Sequence, residues 1–152
     1  MATRSIIKVI YGDTNITLYR HWDGYLAEGG FDLACILKHN PTAESFIKQL
    51  IIQKRGLSEL ENDSPLYEIV NSDNVGEEFK YKFNFVSNST EVRLTVEKLT
   101  GWSEGKWTTL FEEVGEIQVV AEHFLQLCKK DRSAIEERVK DRIQQGEMVS
   151  LF

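Results

Sequence analysis

Apolar and polar residues alternate in two separate parts of the chain, and a period of two is typical of strands with one buried face. The first part comprises residues 3–11 and 16–21, with turn-forming residues at 12–15 between them. On the second of these strands, one face carries Ile16, Leu18 and Arg20, and the other carries Thr17, Tyr19 and His21. The pattern predicts an N-terminal β-hairpin.

The second alternating part lies between residues 79 and 111 and predicts an antiparallel meander of strands. Its apolar stripes consist of Phe79, Tyr81, Phe83 and Phe85, and of Val92, Leu94 and Val96. A base-stacking platform would also place aromatic residues on one strand face. Aromatic side chains aligned in this way are more often core, so we interpret the first stripe as core.

Apolar residues spaced three and four apart predict two helices between the hairpin and the meander. The first covers residues 31–39. For the second, Asn40 is the candidate cap, Pro41 the first helical position and Gly56 the stop. The predicted buried stripe of the second helix consists of Ala43, Phe46, Ile47, Leu50 and Ile51.

After the meander, an apolar period of 3.6 predicts a helix from about 116 to 129. Ser133 and Glu136 have the spacing of a capping box, which predicts a separate final helix to about 145. Its apolar line is thin, and the apolar residues Met148, Val149, Leu151 and Phe152 follow it. Because exposed apolar patches usually mark interaction sites, two outcomes are open: the tail folds back over the sheet, or it is buried against a second copy or a partner. Of these we favour a homodimer contact through residues 133–152.

These elements predict an α+β fold in which helices cover one face of an antiparallel sheet, in one domain spanning 1–152. Its predicted parts are the hairpin with two helices (1–56), an acidic connector (57–78), the meander (79–111) and the C-terminal helices (116–146). Within the connector Pro65 breaks regular structure, and only residues 66–70 suit a short strand.

Charge and cysteine content narrow the class of partner. The chain carries 18 basic and 24 acidic residues, a net charge of -6 at pH 7. This charge argues against nucleic acid and favours basic protein surfaces or cationic ligands. Cys35 and Cys128 fall on apolar helix positions and are expected to be buried free thiols. Neither a membrane span nor a secretion signal is recognisable, so we expect a cytoplasmic protein without membrane contact.

The chemically richest segment is Arg20-His21-Trp22-Asp23-Gly24-Tyr25, at the end of the second strand. Loops held by a rigid element often carry function. The candidate binding residues are Arg20, His21, Trp22, Asp23 and Tyr25, and the candidate turn residues are Gly24, Gly29 and Gly30. We expect Arg20, His21 and Asp23 to be at least partly accessible and to line a concavity near the connector.

The same segment also suits a purely structural role, in which Asp23-Gly24 makes a turn and the aromatic residues pack around it. A carboxylate and two bulky rings crowd this corner. We therefore expect Gly24 to have either a positive φ or no room for a Cβ atom.

His21 and Asp23 lie two residues apart and would point the same way on a strand, as a base and its orienting carboxylate do. A metal site needs more ligands, and neither His39 nor His123 has a ligand spacing to them. Residues 101–105, Gly-Trp-Ser-Glu-Gly, match the string of a nucleophile elbow, which requires a strand before it and a helix after it. Here the string lies between two predicted strands, so we interpret it as a turn.

We accordingly predict no metal, no cofactor and no catalytic residue. Two alternatives to a protein-binding function stay open. One is a small-ligand or nucleotide-binding protein, with hydrolysis as an extension, that uses Arg20, His21 and Asp23. The other is a scaffold subunit that assembles through its last helix.

The opening Ala2-Thr3-Arg4-Ser5, the hairpin after it and the string His21-Trp22-Asp23-Gly24-Tyr25 resemble a group of small uncharacterised proteins of phages and bacterial mobile elements. The resemblance covers about the first 40 residues. Members of that group often continue with proline where this chain has Leu26. The resemblance implies a host–phage setting, in which small acidic proteins bind and inhibit a host protein, and it implies no activity.

Overall fold

The computed structural model describes residues 2–55, 64–72 and 75–144. Its strands are β1 Ser5–Tyr11, β2 Thr14–Arg20, β3 Glu68–Val70, β4 Phe79–Phe85, β5 Glu91–Gly101 and β6 Lys106–Glu116. Its α-helices are α1 Phe31–His39, α2 Ala43–Ile52 and α3 Ile117–Gln144, and a π-helical turn, Leu26–Gly30, leads directly into α1.

The strands form one six-stranded sheet in the order β3-β2-β1-β4-β5-β6. All neighbours are antiparallel except β1 and β4, which pair in parallel from Ser5 opposite Phe79 to Tyr11 opposite Phe85. The predicted α+β fold with an N-terminal hairpin is therefore confirmed. The parallel pairing, which joins hairpin and meander into one sheet, was not predicted, because no local pattern links strands so far apart in sequence.

The helices pack on one face of the sheet, where most residues of the predicted apolar stripes form the core. Ile51, which was predicted to be buried on α2, is 44% exposed, so that part of the prediction is wrong. The fully buried large side chains include Tyr81, Phe46, Phe83, Phe124, Ile7, Leu18 and Leu94. The Phe46 ring of α2 lies 4.7 Å from the Phe83 ring of β4, between centroids. From α3, Phe124 contacts both Tyr81 and Phe111. The aromatic stripe of β4 is thus core, as predicted.

A single helix, α3, occupies the region for which two helices were predicted, so the predicted break near Ser133 is wrong. No glycine or proline interrupts the helix there. A tertiary contact stabilises α3 at this point. Arg132 donates hydrogen bonds from Nε and Nη2 to the carbonyl oxygen of Ala27, at 3.1 and 2.9 Å. The strong capping residues Ser and Glu are also tolerated on an exposed helix face, and Ser133 is exposed.

The predicted cap of α2 is also wrong, because Thr42 and not Asn40 caps the helix. The Thr42 hydroxyl accepts a hydrogen bond from the Ser45 backbone N–H at 3.2 Å. Asn40 instead ends α1, where its amide donates to the carbonyl oxygen of Ile36 at 2.9 Å. A residue before proline avoids helical backbone angles, so Asn40 ends α1, and the cap of α2 follows Pro41 at Thr42. The helix ends at Ile52, and the predicted stop at Gly56 lies outside the described residues.

We expect Thr42→Ala to lower the free energy of unfolding by about 1 kcal/mol, because the N–H of Ser45 loses its partner. Asn40→Ala should cost only a few tenths of a kcal/mol, since other groups can satisfy a helix C terminus. Urea denaturation of both variants measures the difference. The reverse ranking would restore Asn40 as the more important cap.

Two further features considered in the sequence are the cysteines and the apolar length of the helices. Both cysteines are free; Cys128 is fully buried, whereas Cys35 is only half-buried. Burial raises the pKa of the Cys128 thiol to about 12. Across residues 2–55, 64–72 and 75–144, no helix is both long and apolar enough to cross a lipid bilayer.

Candidate functional site

The candidate residues lie where β2 ends, in the segment 21–25, which we call the strand-end loop. Two hydrogen bonds from the body of the protein hold its centre. The Gly24 N–H donates to the carbonyl oxygen of Thr3 at 2.8 Å, and the buried Tyr81 hydroxyl donates to the carbonyl oxygen of Gly24 at 2.7 Å. Full burial raises the pKa of Tyr81 well above its ordinary value, so this hydroxyl stays a donor.

Gly24 has no room for a side chain, which confirms one of the two alternatives predicted for it. An added Cβ atom would lie 2.7 Å from both Cβ and Oγ of Ser5 and 2.9 Å from the carbonyl oxygen of Thr3. The positive φ falls instead on the residue before it, Asp23, at 55°. Aspartate tolerates this conformation better than most residues, which leaves glycine for the tighter position.

The other two candidate turn glycines also lie at close approaches. A Cβ atom on Gly29 would be 2.9 Å from the carbonyl oxygen of Asp23, and that oxygen accepts a hydrogen bond from the Gly29 N–H at 2.8 Å. A Cβ atom on Gly30 would be 3.1 Å from Sγ of Cys128 in α3. The glycines therefore let the π-helical turn pack against both the strand-end loop and α3.

Arg20 is buried beneath the loop, so the expectation that it is accessible is wrong. Only 5% of the residue is exposed. Its guanidinium donates to the carbonyl oxygen of Trp22 at 2.7 Å, to Asp32 Oδ2 at 2.8 Å and to the Tyr67 hydroxyl at 3.1 Å. Strand alternation already placed Arg20 on the face of Ile16 and Leu18, and that signal indicated burial.

The charge of Arg20 is stabilised by groups that are distant in sequence. Burial opposes the charged form, but Tyr67 and Asp32 outweigh it and raise the pKa of Arg20 above its ordinary value. Tyr67, which the sequence analysis did not select, is itself buried, and that burial raises its own pKa. Asp32 is less enclosed, with 40% of its side chain exposed. Arg20 thus holds β2, α1 and the segment before β3 together.

The remaining loop residues point outward to different degrees. Trp22 is 42% exposed, and Asp23 is also exposed. His21 is half-buried, and its Nδ1 atom is hydrogen-bonded to the Tyr19 hydroxyl. The His21 and Trp22 rings meet edge to face, with centroids 4.6 Å apart. His21 therefore supports the indole and does not pair with Asp23 as a base and its orienting carboxylate would.

Tyr25 closes the loop on the inner side and is half-buried. Burial, followed by the nearby charges of Asp23 and Glu28, raises the pKa of its hydroxyl. An ionised tyrosine is therefore not available at neutral pH. Tyr25 packs against the core, so its contribution to the loop is mainly structural.

Next to the loop, Arg132 of α3 is held by a ring and a carboxylate. Its guanidinium lies 3.8 Å from the centroid of the Phe31 ring, and its Nη2 atom lies 3.6 Å from Glu28 Oε1. Burial raises the pKa of Glu28, and Arg132 opposes that rise. Asp23 has no comparable partner, since none of the described residues forms an ion pair or side-chain hydrogen bond with its carboxylate.

A cavity of about 230 Å³ lies beside the buried arginine. It is lined by Phe31, Asp32, Cys35, Ile36, Gln53, Leu66 and Tyr67. The connector does border it, as expected, through Leu66 and Tyr67. The lining, however, includes the partners of Arg20 and none of the three residues Arg20, His21 and Asp23 that were expected there.

Residues 2–55, 64–72 and 75–144 include no group of three His, Cys, Asp or Glu side chains placed to hold a metal ion. In the Gly-Trp-Ser-Glu-Gly string, Gly101 ends β5 and residues 102–105 form the turn to β6, as predicted. Gly105 has a φ of +64°. Because a strand and not a helix follows it, this string does not form a nucleophile elbow.

The strand-end loop therefore combines a fixed backbone with an exposed indole and an exposed carboxylate. Such a pair can contact a cationic or amphipathic group on another molecule. In comparisons with known proteins, no protein-family model, no curated protein and no solved structure matches the chain.

Proposed function

We propose that this is a phage-type, non-catalytic binding protein, which engages and inhibits a host protein in the host cytoplasm through the strand-end loop. The single observation that carries the proposal is the contrast within that loop. Its backbone forms hydrogen bonds with Thr3, Tyr81 and Gly29, while Trp22 and Asp23 are exposed.

A fixed loop lowers the entropic cost of binding. Ordering a mobile side chain or loop at an interface costs roughly 0.5–1.5 kcal/mol per side chain, and a loop that is already ordered avoids much of that cost. Tryptophan is among the residues most enriched in binding hot spots. His21 further restricts the indole by its edge-to-face contact. Trp22 is therefore suited to anchor a partner.

The setting of the proposal comes from the sequence. The string from His21 to Tyr25 resembles phage and mobile-element proteins, and the net charge of -6 favours a basic surface on the partner. The proposed host protein is therefore one with an exposed basic patch, and inhibition would follow from covering that patch.

The alternative of a small ligand or nucleotide, bound or hydrolysed by Arg20, His21 and Asp23, has less support. The hydrogen bonds of the Arg20 guanidinium go to Trp22, Asp32 and Tyr67. A bound ligand could not take these donors without leaving the Asp32 carboxylate and the buried Tyr67 hydroxyl without their partner. Mass spectrometry of small molecules extracted from the purified protein tests this alternative directly.

Capture from a bacterial host lysate, followed by mass spectrometry, tests the proposed function. We expect the full chain to retain a host protein that Trp22→Ala loses by at least about tenfold, as for a hot-spot residue. Trp102→Ala is the matched control, because Trp102 is 64% exposed in the turn between β5 and β6. If both variants retain the same proteins as the unchanged chain, the strand-end loop is not the binding surface.

Self-association through residues 133–152 is a second, separate proposal. Beyond Arg132, the described part of α3 places Ile135 and Val139 half-buried and Ile143 62% exposed along one line. Residues 145–152, including the apolar Met148 to Phe152, lie outside the described part. Light scattering on the full chain and on a chain ending at Gly146 distinguishes a dimer from a monomer.

A further inference from the structure

We infer that the strand-end loop recognises an arginine side chain of its partner, with the guanidinium stacked on Trp22 and hydrogen-bonded to Asp23. The inference rests on the proposed protein-binding function and specifies the chemistry that the partner must offer. It is carried by a repeated arrangement around the loop, by the local balance of charge and by the fixed backbone.

The repeated arrangement is a guanidinium held between one aromatic ring and one carboxylate. Arg132 lies over the Phe31 ring and pairs with Glu28. Arg20 lies 5.7 Å from the centroid of the Tyr67 ring and pairs with Asp32 at 2.8 Å. Arg20 and Arg132 are therefore both satisfied from inside the protein by a ring and a carboxylate.

Trp22 and Asp23 provide a third ring and a third carboxylate, and both are exposed. No guanidinium among residues 2–55, 64–72 and 75–144 is paired with the Asp23 carboxylate. Indole is the strongest of the aromatic rings in binding a cation. The loop thus offers the two groups that hold arginine elsewhere in the same region, without an internal arginine to fill them.

The charge balance around the loop also favours a cation. Arg20 and Arg132 are each compensated by a carboxylate of the protein, Asp32 and Glu28 respectively. In the part of the chain that the structure describes, the Asp23 carboxylate has no such compensation, and the net charge of the chain is -6. An incoming cation would therefore be attracted both by the local carboxylate and by the field of the whole protein.

Arginine fits these two groups better than lysine. A guanidinium is planar, so it can stack on an indole while its N–H groups reach a neighbouring carboxylate. A lysine ammonium is a compact, strongly hydrated charge and does not stack in this way. Because hydrogen bonds hold the carbonyl groups of Trp22 and Asp23, the loop need not rearrange to receive the guanidinium.

The test uses the full chain labelled with nitrogen-15 and three synthetic peptides with Arg-Gly, Lys-Gly and Glu-Gly repeats. The indole N–H resonance of Trp22, assigned with Trp22→Phe, reports binding separately from the resonances of Trp102 and Trp107. We expect the Arg-Gly peptide to shift the Trp22 resonance saturably. The Lys-Gly peptide should bind more weakly by about threefold or more, and the Glu-Gly peptide should cause no shift.

Asp23→Asn and Asp13→Asn separate local recognition from the overall negative charge, because both remove one charge by the same substitution. Asp13 lies in the exposed turn between β1 and β2, at the opposite end of β2 from the loop. We expect Asp23→Asn to lower the affinity for the Arg-Gly peptide by about fivefold, and Asp13→Asn to leave that affinity nearly unchanged.

Equal weakening by both variants, or a Trp22 resonance that does not respond, would overturn the inference. Neither result depends on the host protein. If a captured host protein is lost with Trp22→Ala but retained by Asp23→Asn, the proposed function stands and the arginine inference fails. If the peptide binds as expected but no host protein requires Trp22 for capture, the proposed function fails and the recognition of arginine stands.

Discussion

Replacement of Arg20 by leucine is expected to lower the free energy of unfolding by about 3 kcal/mol. Loss of one partner of a buried ion pair typically costs roughly 3–5 kcal/mol, because the other partner stays buried without compensation. Here the lower end applies, since 40% of the Asp32 side chain is exposed and water can partly replace the arginine. The Tyr67 hydroxyl and the carbonyl oxygen of Trp22 would also lose their donor.

Arg93→Leu is the matched control, because Arg93 also pairs with a carboxylate but does so on the surface. Its guanidinium lies 3.3 Å from Glu112, and both side chains are 53% exposed. A surface pair of this kind contributes about 0–1 kcal/mol. Urea denaturation of the two variants measures the difference, and equal losses would mean that Arg20 is not the structural centre of this corner.

The second large effect is expected for Gly24→Ala, at about 2–3 kcal/mol of lost stability. The added methyl group would lie 2.9 Å or less from two atoms of Ser5 and from a backbone oxygen of Thr3. Overpacking of a tight site typically costs about 1–3 kcal/mol. The backbone of Thr3 cannot move freely, because its carbonyl oxygen accepts the hydrogen bond from Gly24 itself.

Ser5→Gly provides a second variant that removes two of the three close contacts. In that background Gly24→Ala should cost less than in the unchanged chain, with a coupling energy on the order of 1 kcal/mol. Gly115→Ala is the control, since its Cβ atom would meet Val120 at an ordinary 3.6 Å. Thermal and urea denaturation measure these effects. A Gly24→Ala variant as stable as Gly115→Ala would contradict the steric explanation.

Local patterns were enough to predict most elements of the fold. The period of two in residues 79–85 gave the correct buried face of β4, because alternation is a property of every strand with one buried side. The boundaries were less accurate. The cap of α2 is a local contact of Thr42 with Ser45, which the pattern around Pro41 had assigned to Asn40. The uninterrupted α3 instead includes a contact between Arg132 and Ala27, which has no local signature.

The candidate site was predicted only in part, for a related reason. The lack of room at Gly24 followed from the crowding of large and charged residues in one short segment, whereas the exposure of Trp22 was not predicted. The burial of Arg20 was indicated by its strand face, but its charged side chain suggested access to solvent. What allows burial is Asp32 and Tyr67, which lie 12 and 47 residues further along the chain. No spacing in the sequence identifies partners at such separations.

The sequence by itself determined the α+β class, the hairpin, the core stripes and the crowded corner at the end of β2, because each depends on neighbouring residues or on one short period. Only the tertiary structure decided that β1 pairs in parallel with β4 and that Arg20 is structural. It also decided that, within residues 2–55, 64–72 and 75–144, Asp32 and Glu28 each pair with an arginine and Asp23 does not. These features depend on which distant groups meet, and chain folding brings such groups together through many weak contacts rather than through any local pattern.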